Sequence, residues 1–129
     1  MTLYLFNSPI LPLEDQKAII FAKKLTFEEA YKLYHKYKQR DTIVSAIGHQ
    51  ATAELLSRLF KDHIPANRMR VELKEGDKVL AFTLKQRLPE GKIIQNAKEL
   101  EEIGYEFIFY DVRYSNENYD KVLDILFFS

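Results

Sequence analysis

The chain has no cysteine among its 129 residues. That excludes a disulfide framework, a thiolate zinc site and a thiol nucleophile. It holds only four glycines, too scattered for a P-loop or a dinucleotide-binding fingerprint. Charge of one sign is not in excess either: 19 basic residues balance 19 acidic ones. Proteins that bind long nucleic acid non-specifically carry a basic surplus, so an anionic ligand here has to be held by a local cluster. No stretch approaches the roughly 18 apolar residues that span a bilayer, and "MTLYLFNSPI" lacks the basic start and long apolar run of a signal peptide. The expectation is an intracellular, cytoplasmic protein with no membrane association. Three histidines at positions 35, 49 and 63 show none of the spacings of a metal centre, so no metal and no cofactor are expected.

What is present is apolar material in quantity, 47% of residues with 13% aromatic, enough for one core in one domain covering residues 1–129. "TLYLFN" reads as a strand running into the loop Asn7-Ser8-Pro9, and Ile19, Ile20 and Phe21 in "KAIIFAKKL" favour a second, shorter strand. "TFEEAYKLYHKYKQR" is the clearest helix. Thr26 and Glu29 form a capping-box pattern, and Phe27, Ala30, Tyr31, Tyr34 and Tyr37 recur at helical spacing. That tyrosine stripe suits core packing, a dimer face or a platform for bases. "TIVSAI" (42–47) reads as a buried strand, followed by Gly48-His49 and a helix through about Phe60. "RMRVELKEGDKVLAFTLKQR" alternates on both sides of Glu75-Gly76-Asp77, which predicts a β-hairpin. "LPEGK" makes a loop, Asn96 caps a short helix ending near Gly104, and "YEFIFYDVRY" is another strand. "NENYDKVLDILFFS" predicts a terminal amphipathic helix with Tyr119, Val122, Leu123 and Leu126 on one side. The fold class is α/β or α+β: a mixed sheet of about five strands, containing a hairpin, with helices packed on it.

Four places carry candidate chemistry. Gly48 has no β-carbon, so a ligand can approach its backbone closely. The first N–H groups of the helix that follows are unpaired and favour a phosphate, and the His49 imidazole can protonate a leaving oxygen. The plain alternative is a helix-start histidine bonded to backbone. "KQRLPEGK" offers Gln86, Arg87 as a guanidinium fork for a phosphate, and Glu90 ahead of Gly91 on a loop; it also reads as a polar turn. "IPANR" offers Asn67, equally a turn residue, and Arg68. Arg70 and Lys74 follow Arg68 on alternate positions of the expected strand, which suits a solvated face. Asn7 and Ser8 close the first strand as turn-makers or ligand contacts.

Taken in order, "LFNSPIL", "SAIGHQATAELLSRLF", "IPANR", "LKQRLPEGKII" and "EIGYEF" resemble the viral ring nuclease family, small anti-CRISPR proteins of archaeal viruses, phages and some bacteria. The resemblance spans about residues 3–110. It implies a homodimer that binds cyclic tetra-adenylate, the type III CRISPR messenger, and cuts it without a metal into linear di-adenylates ending in a 2′,3′-cyclic phosphate. It implies His49 as general acid and Glu90 as the residue that supports or orients it. Arg87, Arg68, Asn7, Ser8, Gly48 and Gln86 are implied as ligand contacts. Two departures stand out. Ala51 occupies a position where some relatives have serine, and residues 115–129 extend beyond compact relatives with no inherited role. A viral dimer that binds long nucleic acid through Arg68, Arg70, Lys74 and Arg87, and a sponge that holds the ring uncut, are the competing expectations.

Overall fold

A computed structural model describes residues 2–14, 18–40, 42–86, 93–114 and 117–128. Its elements, in chain order, are β1 (Leu3–Phe6), β2 (Ala18–Leu25), α1 (Phe27–Lys38), β3 (Ile43–Ser45), α2 (Gln50–Phe60), β4 (Lys78–Leu84), α3 (Ala97–Ile103), β5 (Tyr105–Tyr114) and α4 (Glu117–Phe128). The strands form one mixed sheet in the order β2-β5-β4-β1-β3. β1 is parallel to both β3 and β4, while β5 is antiparallel to β4 and β2. Four strands therefore point one way and only β5 is reversed, which gathers the C-terminal ends of β1, β3 and β4 at one end of the sheet.

Local chemistry explains the helix limits. Thr26 Oγ1 accepts the Glu29 N–H at 3.1 Å and Glu29 Oε1 accepts the Thr26 N–H at 3.0 Å, a complete capping box. Asn96 Oδ1 accepts the Glu99 N–H at 2.9 Å, and Gly104 ends α3 at φ 88°. That backbone angle suits a residue without a β-carbon.

Period-two alternation sorts the strand residues between two small cores. Leu3, Leu5, Leu80, Phe82 and Phe107 face the helices. There they meet Tyr34 and Tyr37 of α1, Leu55, Leu56 and Phe60 of α2, and Leu100 of α3. Phe60 sits at the centre, stacked at 4.8 Å on Tyr34 and 5.8 Å on Phe107. The tyrosine stripe is thus core packing: Tyr34 and Tyr37 are buried and Tyr31 packs against them. Phe6, Val79, Ala81, Val112 and Tyr114 face the other way, covered by Val71, Leu73 and Leu11 from loops.

The structure corrects three expectations. No hairpin forms across residues 68–86. Lys74 and Asp77 make the turn, with Asp77 N–H donating to Lys74 O at 3.0 Å and Asp77 Oδ2 accepting the Lys74 N–H at 2.8 Å. Beyond it β4 pairs with β1 and β5, so both its edges are occupied. The alternation in residues 68–74 arises because Val71 and Leu73 cover the back of the sheet; Leu73 makes only an isolated bridge with Leu13. β2 is not shorter than β1 but twice as long, eight residues against four, because it pairs along its whole length with β5. The 42–47 strand contracts to the three residues of β3, at the sheet edge rather than buried within it. The amphipathic α4 does form, but Val122 and Leu126 are exposed and do not cover the core. The "LPEGK" loop lies outside the described residues.

One polar cluster joins the helices. Tyr34 Oη donates to Asp62 Oδ2 at 2.5 Å, Lys38 Nζ lies 3.3 Å from the same oxygen, and the His63 N–H donates to Oδ1 at 3.0 Å. The Tyr34 hydrogen bond, with Lys38 and the His63 amide, holds the Asp62 carboxyl below its usual 3.8. A depressed folded-state value means stability that is fully present above the unfolded value and lost as pH falls through the folded one. Asp62→Asn is therefore expected to lower the melting temperature by a few degrees at neutral pH. In parallel thermal melts, that difference should close as the pH drops below the ordinary aspartate range. A deficit that stays constant with pH would contradict it.

Candidate functional site

Parallel strands that end together leave a crevice at their C-terminal edge, where open sheets of this kind bind ligands. Here β1 runs into Asn7 and Ser8, and β3 runs through Ala46, Ile47 and Gly48 into His49 and α2. The pairing Leu5↔Ser45 and the Ala46 N–H to Leu5 O bond at 2.9 Å carry the two chains on side by side, so Asn7 and Ser8 emerge next to the turn that enters α2. Both are half-buried, and neither side chain has a hydrogen-bond partner among the described residues.

A third segment braces that turn. The Asn67 N–H donates to Ile47 O at 2.8 Å, Asn67 Nδ2 donates to Ser45 O at 2.8 Å, and Ser45 Oγ donates to Pro65 O at 2.7 Å. The Asn67 backbone N–H and side-chain Nδ2 are thereby spent on structure. The next residue, Arg68, lays its guanidinium across Gly48: Nη2 donates to Gly48 O at 3.4 Å, and Nε lies 3.6 Å from where a β-carbon on Gly48 would stand. A β-carbon fits at that distance in ordinary van der Waals contact, and Gly48 has no positive φ, so neither the room beside Arg68 nor the backbone angle requires glycine there.

The N-terminus of α2 differs from those of α1 and α3. His49 is its cap residue, with extended φ −126° and ψ 119°, yet no side chain caps the helix and no acidic residue stands in its first turn. Thr26 caps α1 and Asn96 caps α3, and both first turns carry glutamate. The positive end of α2 thus keeps its early N–H groups and its partial charge for solvent or an anion. His49 is exposed, and among the described residues Thr52 Oγ1 lies 3.5 Å from its Nδ1. That is a long contact which leaves the ring free to meet a ligand.

Gln86 belongs to the same end of the sheet, two residues past the C-terminal end of β4. Arg87 and Glu90 lie outside the described residues. The Nε of Arg58, which sequence reasoning passed over, donates to Ile94 O at 3.2 Å and ties Ile94 to α2. A bond to a backbone carbonyl 36 residues away leaves no mark in the sequence, and the same holds for the Ser45–Pro65 and Asn67–Ser45 pairs. His35 is held to Phe60 O at 2.8 Å between Tyr31 and Tyr34, a structural role. Arg70 and Lys74 lie on a loop and not on a strand. No group of three potential metal ligands gathers among the described residues, and no described helix is long and apolar enough to cross a membrane.

The model of the STIV B116-like family matches residues 3–107. Protein 26 of Sulfolobus islandicus filamentous virus is 45% identical over 111 residues, 85% of this chain and 91% of the relative. ORF117 of Acidianus two-tailed virus is 37% identical over 109 residues, 84% and 92% of the two chains. Among solved structures, B116 of Sulfolobus turreted icosahedral virus superposes with a TM-score of 0.78 at 27% identity, covering 85% of this chain and 98% of its own.

If Asn67 is the brace that sets the Gly48-His49 turn, Asn67→Ala leaves the carbonyl of buried Ser45 without its donor. That change should cost about 1–3 kcal/mol in chemical denaturation. A variant as stable as wild type would remove the brace from the description.

Proposed function

The chain belongs to the STIV B116-like family, and on that footing we propose that it is a metal-independent ring nuclease: it binds cyclic tetra-adenylate and opens it to linear di-adenylates with 2′,3′-cyclic phosphate ends, which silences type III CRISPR signalling. The observation that carries this reading is the α2 N-terminus, uncapped and free of acidic neighbours, with His49 at its mouth and the Arg68 guanidinium at Gly48. It is a place for one phosphate with a proton donor beside it.

The reaction needs no external nucleophile. A ribose 2′-hydroxyl attacks its own 3′-phosphorus and passes its proton to solvent water; the phosphorus–O5′ bond breaks, and the imidazolium of His49 gives its proton to the departing 5′-oxygen and takes up another from solvent. Atoms balance as one 2′,3′-cyclic phosphate and one 5′-hydroxyl per cut. The helix amides and Arg68 stabilise the charge that builds on the non-bridging oxygens. Holding the 2′-oxygen in line supplies much of the remaining barrier reduction. Asn7 and Ser8, whose side chains are unspent among the described residues, suit the sugar or base edge of the bound nucleotide.

By the resemblance in motif order, Arg87 is a second phosphate ligand, Gln86 a further contact, and Glu90 the group that orients His49. A ring of four identical nucleotides adopts two-fold symmetry. An isologous homodimer would then present one His49 to each of two opposite linkages and yield two di-adenylates. The small charge of the ring also suits a protein with no net charge, whereas long nucleic acid is disfavoured.

His49→Ala separates binding from chemistry. The variant should hold cyclic tetra-adenylate with affinity close to wild type while its cleavage rate in EDTA falls by about 10²–10⁴, the usual worth of a positioned general acid. Unchanged cleavage would remove His49 from the mechanism, and wild-type protein that binds the ring but never cuts it would make the protein a sponge.

A further inference from the structure

In a helix every Cα–Cβ bond tilts toward the N-terminus, so the side chain three positions after a cap residue is aimed back at it. In α1 that residue is Glu29, whose Oε1 accepts the Thr26 N–H at 3.0 Å. In α3 it is Glu99, whose Oε2 accepts the Gln95 N–H at 3.0 Å. In α2 it is Thr52, and its hydroxyl meets the ring of the cap residue and not the backbone: Oγ1 lies 3.5 Å from His49 Nδ1. A neutral hydroxyl thus stands where the other two helices carry a carboxylate.

The exchange has a chemical consequence. A glutamate at this position would pair with the imidazolium and repel an anion at the helix start. A hydroxyl accepts a hydrogen bond from the ring without adding charge. The first acid of α2 is engaged elsewhere, since Glu54 Oε1 accepts from Gln50 Nε2 at 3.1 Å. Thr52 is half-buried, whereas Gln50 and Ala51 before it are exposed. Its branched β-carbon allows two χ1 rotamers in a helix, so the hydroxyl has few other directions to take. The partner of one imidazole nitrogen decides what the other nitrogen can offer.

We propose that Thr52 is a positioning residue for His49: its Oγ1 accepts the Nδ1–H of the imidazolium, so that the Nε2 proton is the one given to the departing 5′-oxygen. This rests on the ring-opening reading. A separation of 3.5 Å is longer than a formed hydrogen bond, and the hydrogen bonds of catalytic groups often tighten only in the substrate or transition-state complex. Thr52 therefore acts on the chemical step and little on binding. After the transfer the neutral ring keeps its proton on Nδ1, held by Oγ1, and Nε2 recovers a proton from solvent. The hydroxyl retains its own proton to donate, which leaves the supporting role inferred for Glu90 intact.

Thr52→Val keeps the shape and loses the hydroxyl, and Thr52→Ser keeps the hydroxyl; both are compared with wild type in two measurements on the full chain. In steady-state cleavage of cyclic tetra-adenylate in EDTA, Thr52→Val should lower kcat by about 10- to 100-fold, the worth of a hydrogen bond to a charged group. Its KM should change by less than about twofold, as for an interaction made in the transition state. Thr52→Ser should recover most of the loss. In nitrogen NMR spectra recorded without nucleotide, at alkaline pH where the ring is neutral, wild type and Thr52→Ser should hold the His49 proton on Nδ1. Thr52→Val should shift that proton toward Nε2. Full activity in Thr52→Val, an equal loss in both variants, or the same tautomer in all three proteins would overturn the proposal. Wild-type protein that leaves the ring uncut overturns the ring-opening reading together with it, whereas wild type and Thr52→Val that cut equally fast overturn the part assigned to Thr52 alone.

Discussion

A helix begins with N–H groups that its own ladder cannot satisfy, and the candidate site depends on how this constraint is met in α2. In α1 and α3 the chain answers with Thr26 and Asn96 and places glutamate in the first turn. In α2 it places His49 at the cap without a capping bond and leaves the turn free of acids. A partial positive charge is thereby kept at one helix end. Arg68 adds a full charge at Gly48, and no acidic side chain in that turn cancels either.

The rest of the fold holds that end in position. Parallel pairing of β1 with β3 and β4 brings the C-terminal ends of these strands together. Asn67 and Ser45 tie the 64–68 segment to the strand that leads into α2. On the helix-facing side, Phe60 and Leu56 anchor α2 over Leu5, Phe82 and Phe107, so the helix cannot shift without opening the core. A ligand at His49 would meet a preformed surface, which reduces the ordering cost of binding.

What could be read from the sequence was local. The Thr26–Glu29 box, the Asn96 cap and the Gly104 stop are contacts within a few residues, and all three were legible. So were the helical spacing of the tyrosine stripe and the placement of Gly48-His49 at the head of α2, because each depends on one turn of chain. The hairpin at Glu75-Gly76-Asp77 was misread because alternation reports which side of a segment is buried and not which strand lies beside it. Val71 and Leu73 alternate while packing as a loop, and β4 takes β1 and β5 as partners. The brace through Asn67 and the Arg58–Ile94 tie were invisible, since side chains bonded to distant backbone carbonyls leave no pattern. Gln86 adjoins Arg87 in sequence and lies just past the C-terminal end of β4, at the same end of the sheet as the His49 turn.

The proposed activity follows from an anion cradle with a proton donor in a family represented in archaeal viruses, and a turnover measurement tests it most directly. Wild-type protein is incubated in EDTA with a large molar excess of cyclic tetra-adenylate, and the products are resolved by chromatography with mass detection. Ring opening predicts many equivalents cut per protomer and linear di-adenylate ending in 2′,3′-cyclic phosphate. An intact ring, or one held at a single equivalent per site and released unchanged, would contradict it.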